Sequence, residues 1–204
     1  MILPFQSQPI SHQVLMSLLK DYKRPNDKIN ELVKDDKLIP LKRGVYIWNS
    51  AQQPENFTIA NALYGPSYIS VESALSFHSI IPEQVFGITS MTTKQSKVFD
   101  NRICRFEYKH LTTPYFSFGI KQEKLREDQF ALVACSEKAL FDKIITTSGI
   151  LFRSEQAASE FLLENMRMDE EQLKSFDIEM MQSWIIDAPK KESLSFTIKA
   201  IEKL

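Results

Sequence analysis

Apolar residues fall at helical spacing near the front of the chain. Val14, Leu15, Leu18 and Leu19 repeat at i, i+1, i+4 and i+5 behind Ser11, a good capping residue, which predicts a first helix. Pro25 stops it, and Asn26 or Asp27 can cap a second helix in which Ile29, Leu32 and Val33 share one face. The pattern then shortens. Leu38–Leu41 and Val45–Trp48 read as two strands joined at a basic tip, Lys42, Arg43 and Gly44. Two short helices followed by a basic hairpin are the minimum of a winged helix-turn-helix. The polar stretch NSAQQPEN at 49–56 breaks the pattern and places a boundary there, giving domains 1–50 and 51–204.

The second part opens on a helix-like run, FTIANAL at 57–63, and then a turn, YGPS, where Pro66 fixes its own φ and biases Gly65 away from helix. Ser70 stands as N-cap before a short helix carrying Leu75 and Ile80, which Pro82 ends; Val85, Phe86 and Ile88 follow as a strand-like run. Between 97 and 135, KVF, RICRFEY, YFSFGI and FALVAC each suit a strand. In RICRFEYKH, Cys104, Phe106 and Tyr108 alternate with Ile103, Arg105, Glu107 and Lys109, the pattern of a half-exposed antiparallel strand. After Ser136 the run EKALFDKIITTSG is helical, with Ala139, Leu140 and Ile144 inward. From Ser154 the chain is helical by pattern, with Asp169 and Gln172 in a capping-box spacing. The expected fold class is α+β: an N-terminal winged helix-turn-helix, then a larger domain with an antiparallel sheet and C-terminal helices.

Composition narrows the function classes. No apolar run approaches the roughly 20 residues needed to span a bilayer, and MILPFQSQPISHQ lacks a basic region before a long apolar one, so the expected compartment is the cytoplasm. The net charge of −1 hides a gradient. Residues 1–48 hold eight Lys/Arg against five Asp/Glu, and residues 153–204 hold seven against eleven. A basic front and an acidic tail fit a domain facing nucleic acid joined to one facing protein. Cys104 and Cys135 form no CxxC pair and read as buried free thiols, while His12, His78 and His110 fit no metal-ligand spacing. No cofactor, metal or catalytic residue is expected.

Candidate DNA contacts are Lys20, Lys23, Arg24, Lys28, Asn30, Lys34, Lys42 and Arg43. The cations would neutralise phosphates, Asn30 could read adenine and Arg43 could enter a minor groove. Against this, Asp27 and Glu31 on the outer face of the second helix repel phosphate. Tyr64, Ser67, Tyr68 and Ser70, gathered around the proline turn, make a candidate ligand or partner surface; the plainer reading is a turn that buries tyrosines and caps a helix. Glu137, Lys138 and Asp142 have the composition of a metal nuclease site, but Glu137 and Asp142 are five apart on one helix, so they point about 140° apart. Glu72, His78 and Glu83 are the other acid/base candidates. The helices that hold Met166, Met168, Met180, Met181 and Trp184 read as core or as a flexible surface for a partner or for self-association.

Three separated blocks carry a resemblance: DYKRPNDKINELVKDDKLIPLKRGVYIW at 21–48, GPSYISVESAL with IPEQVFGITSMTT, and EKALFDK at 137–143. In this order, over roughly residues 10–145, they resemble the AbiEi-type antitoxin family of bacterial transcriptional regulators. The resemblance implies an N-terminal winged helix-turn-helix that binds double-stranded DNA at the protein's own promoter. It also implies a larger C-terminal domain, not an enzyme, that opposes a nucleotidyltransferase-like toxin in a phage-defence toxin–antitoxin system. Two departures from the family pattern stand out: Asn101-Arg102-Ile103 replaces a common glycine, and the second helix is more acidic. Two other classes remain open, a nuclease-like enzyme with a DNA-targeting front end and an interaction module whose winged helix contacts protein.

Overall fold

A computed structural model describes residues 5–126 and 128–204; residues 1–4, part of the segment read for a leader, lie outside them. The front end runs β1 (Ile10–Ser11), α1 (His12–Leu18), α2 (Pro25–Lys34), β2 (Leu38–Lys42) and β3 (Val45–Trp48). The strands form an antiparallel sheet in the order β1-β3-β2. Ser11 caps α1, its Oγ accepting from the Val14 amide. At α2 the expected cap gives way: Pro25 is the first helical residue, where its missing N–H costs nothing, and Arg24 occupies the cap position without a side-chain bond. Gly44 turns the hairpin at φ +79°.

The hairpin is buried on both faces, and that ties the front end to the rest. Leu38 and Trp48 pack with Ile10, Leu15 and Ile29 beneath the two helices. Their strand neighbours Ile39, Leu41 and Ile47 point the other way, into the large core of residues 51–204. Hydrogen bonds fasten the same seam. Asn101 donates to the Leu41 carbonyl at 3.2 Å, and Arg102 pairs with Asp36. Asn101 and Arg102 therefore lie where the front end docks.

The chain then passes α3 (Asn56–Leu63), β4 (Ser67–Ile69), α4 (Val71–Phe77), β5 (Ile88–Thr92), β6 (Lys97–Asp100), β7 (Arg105–His110), β8 (Ile120–Arg126) and β9 (Gln129–Ala134). Helices α5 (Ser136–Thr146), α6 (Glu155–Glu160), α7 (Glu170–Lys174), α8 (Ile178–Trp184) and α9 (Lys191–Glu202) complete it, in a mixed α+β architecture with C-terminal helices. The sheet runs β6-β7-β5-β4-β9-β8 and is mixed, not antiparallel as expected. β4 pairs parallel with β9 through Ile69 and Val133, and β5 pairs parallel with β7 from Ile88–Phe106 to Thr92–His110. β4 is short and buried throughout, so no alternation marks its neighbours. Among the described residues no helix is long and apolar enough to cross a membrane.

Other local expectations shift for identifiable reasons. YFSFGI is not a strand: Tyr115–Ser117 form a single 3-10 turn after Pro114, and β8 starts only beyond Gly119, whose φ is +60°. Residues Val85 and Phe86 stay outside β5, with Phe86 87% exposed. Asp169 does cap α7, accepting from the Gln172 amide at 2.9 Å.

Candidate nucleic-acid interface

Helices α1 and α2 are clamped by His12 Nε2 and Asn26 Oδ1, 2.9 Å apart. Ile29, Leu32 and Val33 face inward, leaving Asp27, Asn30, Glu31 and Lys34 along the outer face. The two carboxylates that count against phosphate are both neutralised locally. Arg24 Nε lies 2.8 Å from Asp27 Oδ2, and Lys28 Nζ lies 2.5 Å from Glu31 Oε1. The bond to Glu31 holds the Lys28 ammonium above its ordinary pKa. Lys20, Lys23, Lys34 and Arg43 are exposed and form no ion pair among the described residues. Outward, then, α2 presents Asn30 and Lys34 as its uncommitted polar groups, flanked by two compensated pairs.

Lys42 differs from the expectation of a free, phosphate-facing tip. Its ammonium turns back onto the second body and donates to the carbonyl of Leu63 at the end of α3. Burial, and then Lys97 and Lys94, push its pKa down. Arg43, one residue on, stays in solvent. Lys42 therefore shares a site with Lys94 and Lys97, far along the chain, which no local pattern could signal.

That site centres on Tyr64 and Phe99, whose rings meet edge-on with centroids 5.8 Å apart; both also pack against Tyr108. Lys94 Nζ sits 5.3 Å from the Tyr64 ring, Lys97 Nζ 5.0 Å from Phe99, and Lys42 Nζ 5.6 Å from Phe99. These are cation–π distances. Of the four residues proposed as a ligand or partner surface, only Tyr64 reaches this outer cluster.

Ser67, Tyr68 and Ser70 are buried, which removes them from any surface. Tyr68 and Ser70 instead build a polar network inside the core. Asp142 on α5 accepts from Tyr68 Oη at 2.9 Å and Ser70 Oγ at 2.7 Å through Oδ2. Its Oδ1 accepts from Lys138 Nζ at 2.5 Å and Tyr115 Oη at 3.2 Å. The Lys138 ammonium also lies 3.5 Å from the centre of the Tyr115 ring. Ser70 sits at the N-cap of α4 but makes no cap bond, because its hydroxyl is spent on Asp142. Burial pushes the Lys138 ammonium down against the opposing pull of Asp142, and pushes both tyrosines up.

Every strong donor around Asp142 is satisfied within the core, as a fold-specifying network requires. Glu137, its supposed partner in a metal site, accepts from the Asp177 amide elsewhere. Glu72 pairs with Lys143, Glu83 with Arg167, and His78 Nε2 lies 2.8 Å from the Ala134 carbonyl. Cys135 is buried, with its thiol pushed up to about 12 by burial, whereas Cys104 is half-buried. Met168 and Met181 are core residues, and Met166 and Met180 pack against that core.

Among solved structures, the fold is similar to the crystal structure of the RV2827C protein from Mycobacterium tuberculosis. The TM-score is 0.61 at 12% identity, over 95% of this chain and 72% of that one. No family model and no curated protein matches the sequence.

Proposed function

We propose that the protein is a duplex-DNA-binding regulator whose front end is a winged helix-turn-helix lacking a separate first helix. The β1-β3-β2 order, with two clamped helices on one face of the sheet, supports the winged reading. The observation that carries DNA binding is the outer surface of that module. The α2 carboxylates Asp27 and Glu31 are paired, while Lys20, Lys23, Lys34 and Arg43 remain exposed. Phosphate contacts need well-placed cations more than a rich recognition helix. Lys20, Lys23 and Lys34 would hold the backbone, Asn30 would face base edges, and Arg43 at the hairpin tip would reach an adjacent groove.

The resemblance to AbiEi-type antitoxins extends the proposal. The DNA would be the protein's own promoter, and residues 51–204 would oppose a nucleotidyltransferase-like toxin without catalysis, in the cytoplasm. Two experiments test these parts separately. Gel-shift titration on the upstream region of its operon should give salt-sensitive binding that Lys23→Ala with Arg43→Ala weakens at least tenfold. Unchanged affinity in that double variant would remove the front end from the account. Co-expression with a neighbouring nucleotidyltransferase-like reading frame should rescue growth; persistent toxicity would end the antitoxin reading.

A further inference from the structure

We infer that Lys42, Lys94 and Lys97 form a second phosphate-binding site, on the turn between β5 and β6, which extends the track of a bound duplex from the hairpin tip onto the second body. This deepens the DNA-binding reading and rests on it. The first observation is convergence without compensation. Three ammonium groups approach one pair of touching rings, and none has an ion-pair partner among the described residues. Lys42 and Lys94 each donate one hydrogen bond to a main-chain carbonyl, of Leu63 and Gly65 respectively, which leaves further N–H donors on each.

The second observation is segregation of charge by strand alternation. Lys97 and Phe99 lie on the Tyr108 side of the β6–β7 ladder. Asp100, with Val98, and Glu107, with Arg105, fall on the opposite face. Like charges gathered on one face repel, and an anion of high charge density relieves that repulsion.

The third observation is rigidity. Tyr64 Oη donates to the Gln95 carbonyl at 3.3 Å, His110 donates its amide to Ser96 Oγ at 3.0 Å, and Thr92 Oγ1 donates to the Pro66 carbonyl at 2.8 Å. A turn pinned at three points presents its lysines at little further entropic cost. Lys94 and Lys97 are exposed, and Lys42 adjoins exposed Arg43 at the hairpin tip, so one phosphate chain can run from the front end onto the turn.

The test uses the full chain and a 30-base-pair duplex from the operon's upstream region, read by fluorescence anisotropy across salt concentrations. Each phosphate contact contributes about 0.9 to the slope of log K against log salt, so Lys94→Ala with Lys97→Ala should flatten it by about 1.8. Lys94→Glu with Lys97→Glu should flatten it further, with circular dichroism melting unchanged in both. A wild-type slope in the two turn variants, while Lys23→Ala with Arg43→Ala loses affinity, overturns the second site and leaves the DNA reading standing. Absence of salt-dependent duplex binding by the wild-type protein overturns both.

Discussion

Replacing Asp142 by alanine should be among the most damaging single changes in the second body. The substitution strands the Lys138 ammonium, whose side chain is fully buried and whose carboxylate partner lies 2.5 Å away. Breaking a buried pair from one side costs about 3–5 kcal/mol, because the surviving charge is left uncompensated. Tyr68, Ser70 and Tyr115 also lose their acceptor. Those losses fall in one hydrogen-bond network with the stranded charge, so they do not add in full. Taking about 4 kcal/mol, and about 2–4 °C per kcal/mol for a chain of this size, the melting temperature should fall by roughly 8–16 °C. Tyr68→Phe removes one donor and leaves the ion pair, so it should cost about 1.5–3 kcal/mol. Urea titration followed by circular dichroism gives both numbers. An Asp142→Ala protein within about 1 kcal/mol of wild type, or one more stable than Tyr68→Phe, would refute the assignment of EKALFDK and YGPSYIS to the core. It would return Asp142 to the metal-nuclease-like set of Glu137, Lys138 and Asp142.

Lys190 donates to the carbonyls of Ile144, Thr147 and Ile150 at 2.7, 2.8 and 2.9 Å, closing the end of α5. Lys190→Met should therefore destabilise by about 1–3 kcal/mol in the same urea assay, and an unchanged midpoint would count against the clasp. A Cβ at Gly119 would stand 2.8 Å from both Lys138 Cβ and a Trp184 ring carbon at φ +60°, so Gly119→Ala should lower stability by more than about 2 kcal/mol. Thiol labelling at pH 8 should modify Cys104 first. Cys135, pushed up to about 12 by burial, should react only on unfolding, and equal native rates would contradict its placement.

What the sequence disclosed follows from the range of the interactions involved. Elements set by local periodicity and turn chemistry were legible: the Ser11 cap, the Ile29 stripe of α2, the Lys42–Gly44 turn, and the alternation of Phe106 and Tyr108. Elements set by distant partners were not. β4 is three buried residues whose neighbours β5 and β9 arrive from far along the chain, so its mixed pairing left no periodic trace. Ser70 carries every local mark of a helix cap, yet its hydroxyl goes to Asp142, 72 residues on, because a buried carboxylate is the stronger acceptor. The candidate site divides the same way. The exposure of Lys23 and Arg43 could be read from a polar connection before Pro25 and from a hairpin turn. The junction of Lys42 with Lys94 and Lys97 depends on how the hairpin docks against α3.

The docking of the β2–β3 hairpin also fixes the front end in place. Ile39, Leu41 and Ile47 commit the inner face of the hairpin to the large core, and Asn101 and Arg102 hold its edge. The front end is thus positioned by the second body rather than carried on a tether.

The most direct test of the central claim is amide hydrogen exchange by mass spectrometry, with and without the upstream duplex at low salt. The account predicts slowed exchange over residues 20–34, 42–44 and 93–97, with the acidic helices beyond residue 169 unchanged. Protection confined to those C-terminal helices, or no protection anywhere under saturating duplex, would contradict it.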